Sequence, residues 1–272
     1  MLGFSASSTA AWGQSRTIRG NRWLTIADLS GPVEIVPFRL SRRLAQRGDR
    51  LDSVGDMLIT GPDAFVRLEV DLAVGFVTMA ENSQLQIRTL STTSTGGRVT
   101  ELFVLRGRVR LRIRTLTDPD SRLEIHTPAG VSGVRGTEFG VAVRSDGQTG
   151  VATQEGSVFS SAQGQTVLVN AEQQSIIRPG EPPTEPIPLR DDPALFIEVI
   201  RPTDERDGQG ARLVEVAGYT DFVNLLTVNN NELLLDRAGR FETLVSSPSN
   251  GRIPVSITTP LGTTQQYELV AP

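Results

Sequence analysis

Apolar and polar positions alternate along much of this chain. From Ala64 to Leu72, the residues Val66, Leu68, Val70 and Leu72 interleave with Arg67, Glu69 and Asp71. A period of two places the apolar set on one face of an extended strand. Shorter runs of the same kind lie at Arg22 to Ala27, Pro32 to Phe38, Phe76 to Ala80 and Leu85 to Leu90. Glu81-Asn82-Ser83 and the polar stretch Ser91 to Gly97 separate some of these runs as turns. Arg39 to Asp52 is charged and reads as a helical turn or a loop, with Arg47-Gly48-Asp49 as a tight turn inside it.

The last third repeats the pattern. Runs at Ala194 to Ile200, Arg212 to Val216, Asn224 to Val228, Glu232 to Leu235, Phe241 to Ser246, Arg252 to Thr258 and Thr263 to Val270 are short and turn-bounded. About seven strands with a turn every 8–12 residues or so predict a β-sandwich. Asn229-Asn230-Asn231 lies between two of them and predicts a hairpin, because asparagine tolerates the left-handed conformation. Before this region, Arg178 to Pro193 is rich in proline and reads as an extended linker.

Two local patterns depart from plain alternation. In Val99 to Thr115, Leu105, Val109, Leu111 and Ile113 predict one face; Arg106, Arg108, Arg110, Arg112 and Arg114 predict the other. With same-face side chains about 6.6 Å apart, the guanidiniums would line a ribbon of roughly 26 Å, unless Gly107 bends it. Such a stripe suits an anionic polymer or an acidic partner. The alternative is cross-strand pairing with acids such as Glu69, Asp71, Glu101 and Glu124. The second pattern is Ile125 to Val143, which carries Gly130, Gly133, Gly136 and Gly140 around Arg135. A phosphate cradle would need a helix directly after the glycines, and the P-loop form also needs a lysine. Thr137 onwards continues instead as a strand, so the stretch predicts a corner between strands. A weak echo links Val104 to Val109 with Thr153 to Val158. Each is strand, glycine, strand, centred on Gly107 and Gly156, as in stacked β-coils.

Composition narrows the chemistry. The 272 residues carry a formal net charge of −4, which does not suggest a general nucleic-acid or membrane-surface binder. All 27 basic residues are arginine. Without cysteine there is no disulfide scaffold, Cys-ligated zinc, iron–sulfur cluster or thiol catalysis. The single histidine, His126, has neither companion histidines for a metal centre nor a G-x-S-x-G elbow to serve. No calcium-loop motif occurs, and no cofactor is expected. No run reaches the roughly 20 apolar residues of a membrane helix. Residues 1–30 read either as a disordered tail or as the small-residue end of a signal peptide.

Thr127-Pro128, then Val134-Arg135-Gly136-Thr137-Glu138-Phe139 followed by a strand, resemble the signature of FecR-type domains. Upstream, Gly55 to Leu68 and Val77 to Ser83 are similar to the start of that family's pattern. Downstream, Gly150 to Val158 and Asn170-Ala171-Glu172 are similar to its closing strands. Within the motif Gly133, Arg135, Gly136, Thr137 and Gly156 are the structural positions. Val216 to Asp221, Thr227 to Asn230 and Leu235 to Phe241 resemble bacterial Ig-like domains.

The resemblance implies an all-β protein: a FecR-like β-solenoid or roll over residues 31–177, a linker over 178–193 and an Ig-like β-sandwich over 194–272. It further implies a non-enzymatic, exported or periplasmic protein of a bacterial cell envelope that binds or senses a partner and is related to signalling. The family is named for a regulator with an anti-sigma segment and a membrane helix, and neither is read in this sequence. The expected partner is an envelope protein, or an anionic polysaccharide held by the arginine stripe, and not nucleic acid.

Overall fold

The computed structural model describes residues 22–134, 136–208 and 210–271. The expectation of a tail over residues 1–30 lies outside them up to residue 21, as does that for Arg135; from Leu24 to Ser30 the tail is instead a strand whose Leu24 and Ile26 are buried in the core. The first strands are β1 (Leu24–Ser30), β2 (Val33–Val36), β3 (Arg43–Leu44), β4 (Arg50–Leu51), β5 (Met57–Thr60) and β6 (Phe65–Val70). One helical turn, α1 (Asp71–Val74), leads to β7 (Gly75–Met79), β8 (Gln84–Thr92) and the long β9 (Arg98–Ile113). Then come β10 (Arg122–His126), β11 (Val131–Val134), β12 (Glu138–Val143) and β13 (Thr149–Glu155). The set closes with β14 (Ser157–Ala162), β15 (Gln165–Asn170), β16 (Gln173–Ile177) and β17 (Ile187–Pro188).

These strands form two faces. One runs β4-β1-β6-β7-β9-β12-β13-β16-β17, all antiparallel. The other runs β3-β2-β5-β8-β9-β10-β11-β14-β15, antiparallel except for the parallel β9–β10 pair. One continuous core joins residues of both, from Leu24 and Ile26 through Leu58, Leu68, Leu102 and Leu111 to Phe139 and Val169. The alternation of β6 holds, with Val66, Leu68 and Val70 fully buried, but it ends there. Residues 71–74 turn the chain into β7, and the Asp71 carboxylate accepts from Arg22 Nε at 3.1 Å.

Strand β9 belongs to both faces. Its first half pairs with β8 and β10, and its second half, from Gly107, with β7 and β12. Gly107 has φ +86°, and a β-carbon there would lie 2.3 Å from Ser83 Oγ. Gly156 (φ +79°) occupies the equivalent corner, where β13 of one face gives way to β14 of the other. The strand–glycine–strand echo therefore reflects one repeated job: crossing between faces at a left-handed residue.

Residues 178–190 do not run free of the sheet. Thr184 N–H donates to Ile176 O at 2.9 Å, and Leu189 N–H to Glu172 O at 2.8 Å, laying this segment along β16. Seven further strands follow: β18 (Leu195–Arg206), β19 (Arg212–Thr220), β20 (Leu225–Val228), β21 (Asn231–Leu233), β22 (Arg240–Ser246), β23 (Arg252–Thr258) and β24 (Thr264–Val270). They form a three-stranded sheet, β18-β19-β22, and a four-stranded sheet, β21-β20-β23-β24. A second core lies between these, built on Val214, Val216, Leu226, Phe241, Ile253 and Ile257. Asn229 and Asn230 are both left-handed, φ +50° and +63°, as a two-residue hairpin turn requires. Among the described residues no helix is long and apolar enough to cross a membrane.

Candidate functional site

All six residues of β12 are buried, although a strand in a two-layer stack has one face outward. The turns of the C-terminal sheets cover it. Small residues make the fit: Gly140 and Ala142 on β12 stand beside Ala152 and Gly150 on β13. A β-carbon on Gly150 would meet Val223 O at 3.2 Å. Side chains along the rim then hydrogen-bond across the seam. Gln148 Nε2 donates to Phe222 O at 3.1 Å, Arg144 Nη2 to Leu235 O at 3.0 Å, and Ser145 N–H to Glu232 Oε1 at 2.9 Å.

The five arginines do not form one ribbon. The extra residue Leu105, bulged between Val104 and Arg106, shifts the parity, so Leu102 and Val104 point inward before it, and Val109 and Leu111 after it. With the Gln84 amide turned to accept, Arg106 donates to its oxygen at 2.9 and 3.2 Å. Arg110 and Arg112 share one acid. Arg110 Nη2 reaches Glu138 Oε1 at 2.6 Å and Gln154 Oε1 at 2.6 Å, its Nη1 reaches Leu261 O at 3.2 Å, and Arg112 Nε reaches Glu138 Oε2 at 2.7 Å. Arg114 lies just past the end of β9 and is exposed.

The acid that holds Arg110 and Arg112 is thus Glu138, on the neighbouring strand of the same sheet, where the sequence pointed to Glu69, Asp71, Glu101 and Glu124. Of those, Asp71 holds Arg22, and Glu101 and Glu124 hold Arg122. Glu138 is only 6 % exposed. Burial pushes its carboxyl up, but hydrogen bonds from Arg112 and Arg110 outweigh that and hold it below the usual range. Five like charges on one strand were the signal that such an acid was needed.

Arg108 differs from its neighbours. It stands at the seam, against Gly262 of the C-terminal part, and its Nε is buried without a hydrogen-bond partner. A cleft of ≈ 290 Å³ opens beside it, with Glu81 and Arg106 on one wall and Glu232, Thr258 and Thr264 on the other. Burial depresses the Arg108 guanidinium, as does Arg110 nearby, while Glu81 and Asp191 act in the opposite direction.

The glycine motif forms a corner, not a ligand cradle. Gly136 (φ +139°) packs on Thr115, where a β-carbon would lie 2.6 Å from its Cα. Thr137 N–H donates to Ile113 O at 3.0 Å and Ile113 N–H returns to Thr137 O at 2.9 Å. A β-carbon on Gly156 would sit 2.6 Å from Gly136 O, so both glycines serve one crossing. Gly133 is an ordinary strand position between β10 and β14.

Glu101, Glu124 and His126 bring three possible ligand atoms within 4.8 Å of one another. The same space holds Arg122, 3.3 Å from Glu101 and 3.2 Å from Glu124, and Arg88 Nη1, 3.2 Å from His126 Nδ1. The two guanidiniums already supply the positive charge, which makes this an ion-pair network and not a metal centre.

With this geometry in place, residues 58–159 match the family model described as FecR protein. That segment runs from β5 into β14 and includes the Gly107, Gly136 and Gly156 corners. Two crystal structures of a candidate anti-sigma factor from Parabacteroides distasonis ATCC 8503 are similar. One is 16% identical, with 48% of this chain and 54% of that chain covered and a TM-score of 0.35. The other is 14% identical, with 54% and 68% covered and a TM-score of 0.39. A polysaccharide lyase aligns at 9% identity over 93% of this chain and 40% of its own, with a TM-score of 0.21. The chain spans about half the length of the first of these structures. No curated protein matches it in sequence.

Proposed function

We propose that this chain is a non-enzymatic recognition protein of the bacterial cell envelope. In this reading, a FecR-like β-domain and an Ig-like sandwich are docked as one unit. The FecR-like part binds an extended segment of a protein partner by adding it as a strand beside β15. The family match supports a sensing or signalling role with a protein partner.

The observation that carries the reading is the state of the sheet rims. Three rims are covered by short pieces of chain: β3 over β2, β4 over β1, and β17 with residues 184–189 over β16. The fourth is β15, six residues long, which pairs with β14 and with no other described strand. No charged residue occurs between Glu155 and Glu172, so neither β14 nor β15 carries the lysine, proline or inward charge that usually protects an edge. Outside, Phe159 and Leu168 stand directly opposite each other, 52% and 41% exposed. An open row of backbone donors and acceptors beside a small apolar pair suits strand addition.

A photo-crosslinking side chain at position 168, introduced in the source bacterium, tests this. The expected result is one protein adduct in the envelope fraction. The purified partner should bind the wild-type chain and fail to bind Leu168→Lys, a change at an exposed position that leaves the core intact. Retained binding by Leu168→Lys, or a chain confined to the cytoplasm, overturns the proposal. An adduct of the chain with itself, with a dimer lost in Leu168→Lys, makes a second copy the occupant instead.

A further inference from the structure

The seam between the two parts holds a guanidinium, that of Arg108, with one buried N–H left without a hydrogen-bond partner. Arg108 cannot shed its proton inside a protein, so burying it demands a partner. The nearby acids are held elsewhere. Glu81 accepts from Asp63 N–H at 2.8 Å, Asp191 accepts from the Thr263 hydroxyl at 2.9 Å and also from Thr259, and Glu232 accepts from Ser145 N–H. Arg108 Nε has none. Beside it lies the cleft of ≈ 290 Å³, whose far wall is made by hydroxyls of β20, β23 and β24. That space is ample for several waters or for one small organic molecule.

We propose that this cleft binds a small ligand through a carboxylate seated on Arg108, with the remainder held by the threonine and serine hydroxyls of the C-terminal sheet. A guanidinium recognises carboxylate and phosphate equally well by geometry. The walls decide between them, because Glu81 and Glu232 also face this space. A phosphate dianion would meet two like charges with two of its own, whereas a carboxylate brings one. Both parts of the chain build the cleft, so an occupant would bridge them. The site is separate from the β15 edge, and its fate does not depend on that proposal.

The probe is N-acetyl-alanine, with N-acetyl-alaninamide as a control of the same size lacking the charge. Titration of the isotope-labelled full chain, followed by backbone amide resonances, should give saturable shifts at Gly107, Thr258 and Gly262 with the acid and none with the amide. Arg108→Gln should weaken the acid about tenfold, the loss of one charge-assisted contact. Thr258→Val retains the arginine and should weaken it less. Absence of saturable shifts with the acid overturns the proposal, as does equal binding of the amide. So does unchanged affinity in Arg108→Gln. Tighter binding of inorganic phosphate overturns the carboxylate assignment. The acid–amide comparison uses only wild-type protein, so a poorly folded variant does not spoil the test.

Discussion

Gly140 of β12 lies directly beneath the backbone of Pro260: a β-carbon built on Gly140 would stand 2.1 Å from the Pro260 carbonyl oxygen. Backbone cannot swing aside as a flexible side chain does. Gly140→Val should therefore push the C-terminal turn off the sheet, at a cost of about 1–3 kcal/mol for an overpacked contact. The two cores share few contacts other than this seam, so each should survive the change. Scanning calorimetry is expected to show a single transition for the wild type and two for the variant. Limited proteolysis should then cut first between β17 and β18. A variant that melts as one unit at the wild-type temperature contradicts the role assigned to this glycine.

Glu138 makes the first sheet sensitive to acid. Its folded carboxyl titrates below the ordinary glutamate value because Arg112 and Arg110 donate to it. A depressed folded pKa stabilises the folded state when the group is ionised. That contribution is complete above the unfolded chain's pKa and is lost as pH falls through the lower folded value. Glu138→Gln removes it and leaves two arginines without their acid. The expected loss at neutral pH is about 1–2 kcal/mol, toward the low end because Arg112 is largely exposed. Urea unfolding at a series of pH values checks this. The variant's deficit should shrink on acidification, and a deficit independent of pH would remove Glu138 as its source.

Much of this fold was legible because it is local. Val66, Leu68 and Val70 needed only a period of two. The weak echo centred on Gly107 and Gly156 suggests stacked coils, but that each glycine carries the chain from one face to the other is visible only in the structure. Long-range relationships were not legible. Nothing near Gly140 signals that Pro260 will lie on it, and a glycine inside a strand has many possible causes. The arginine stripe departs from its simple alternation for a related reason. Alternation breaks at Leu105, just before the strand changes faces at Gly107, and the acid that answers Arg110 and Arg112 sits on β12, beyond the glycine corner. Arg108 was visible as one of five, but its isolation depends on the C-terminal turn that closes over it.

The hairpin at Asn229 and Asn230 offers a stabilising change. Both residues adopt left-handed φ, and the favoured occupant of the second position in such a turn is glycine. Asn230→Gly should raise stability by about 0.5 kcal/mol, read as a small upward shift in melting temperature. A fall in stability would mean that the Asn230 side chain makes a contact worth more than its backbone strain.

The corner glycines separate two costs that usually arrive together. Gly107 (φ +86°) and Gly164 (φ +73°) both hold conformations that strain other residues. Around Gly164 a β-carbon meets nothing within 4 Å, whereas at Gly107 it meets Ser83 Oγ at 2.3 Å and Ser83 Cα at 2.5 Å. Gly164→Ala should therefore cost only the left-handed strain, about 1 kcal/mol. Gly107→Ala adds a collision with backbone at the point where β9 changes faces, and should cost about 2–4 kcal/mol. It also threatens two hydrogen bonds, because Ser83 Oγ accepts from Arg108 N–H at 2.9 Å and Thr60 Oγ1 accepts from Ser83 N–H at 2.9 Å. Chemical denaturation of the two variants side by side measures the difference. Equal losses would mean that Ser83 yields without cost, and that the crossing between the two faces is held by backbone conformation alone.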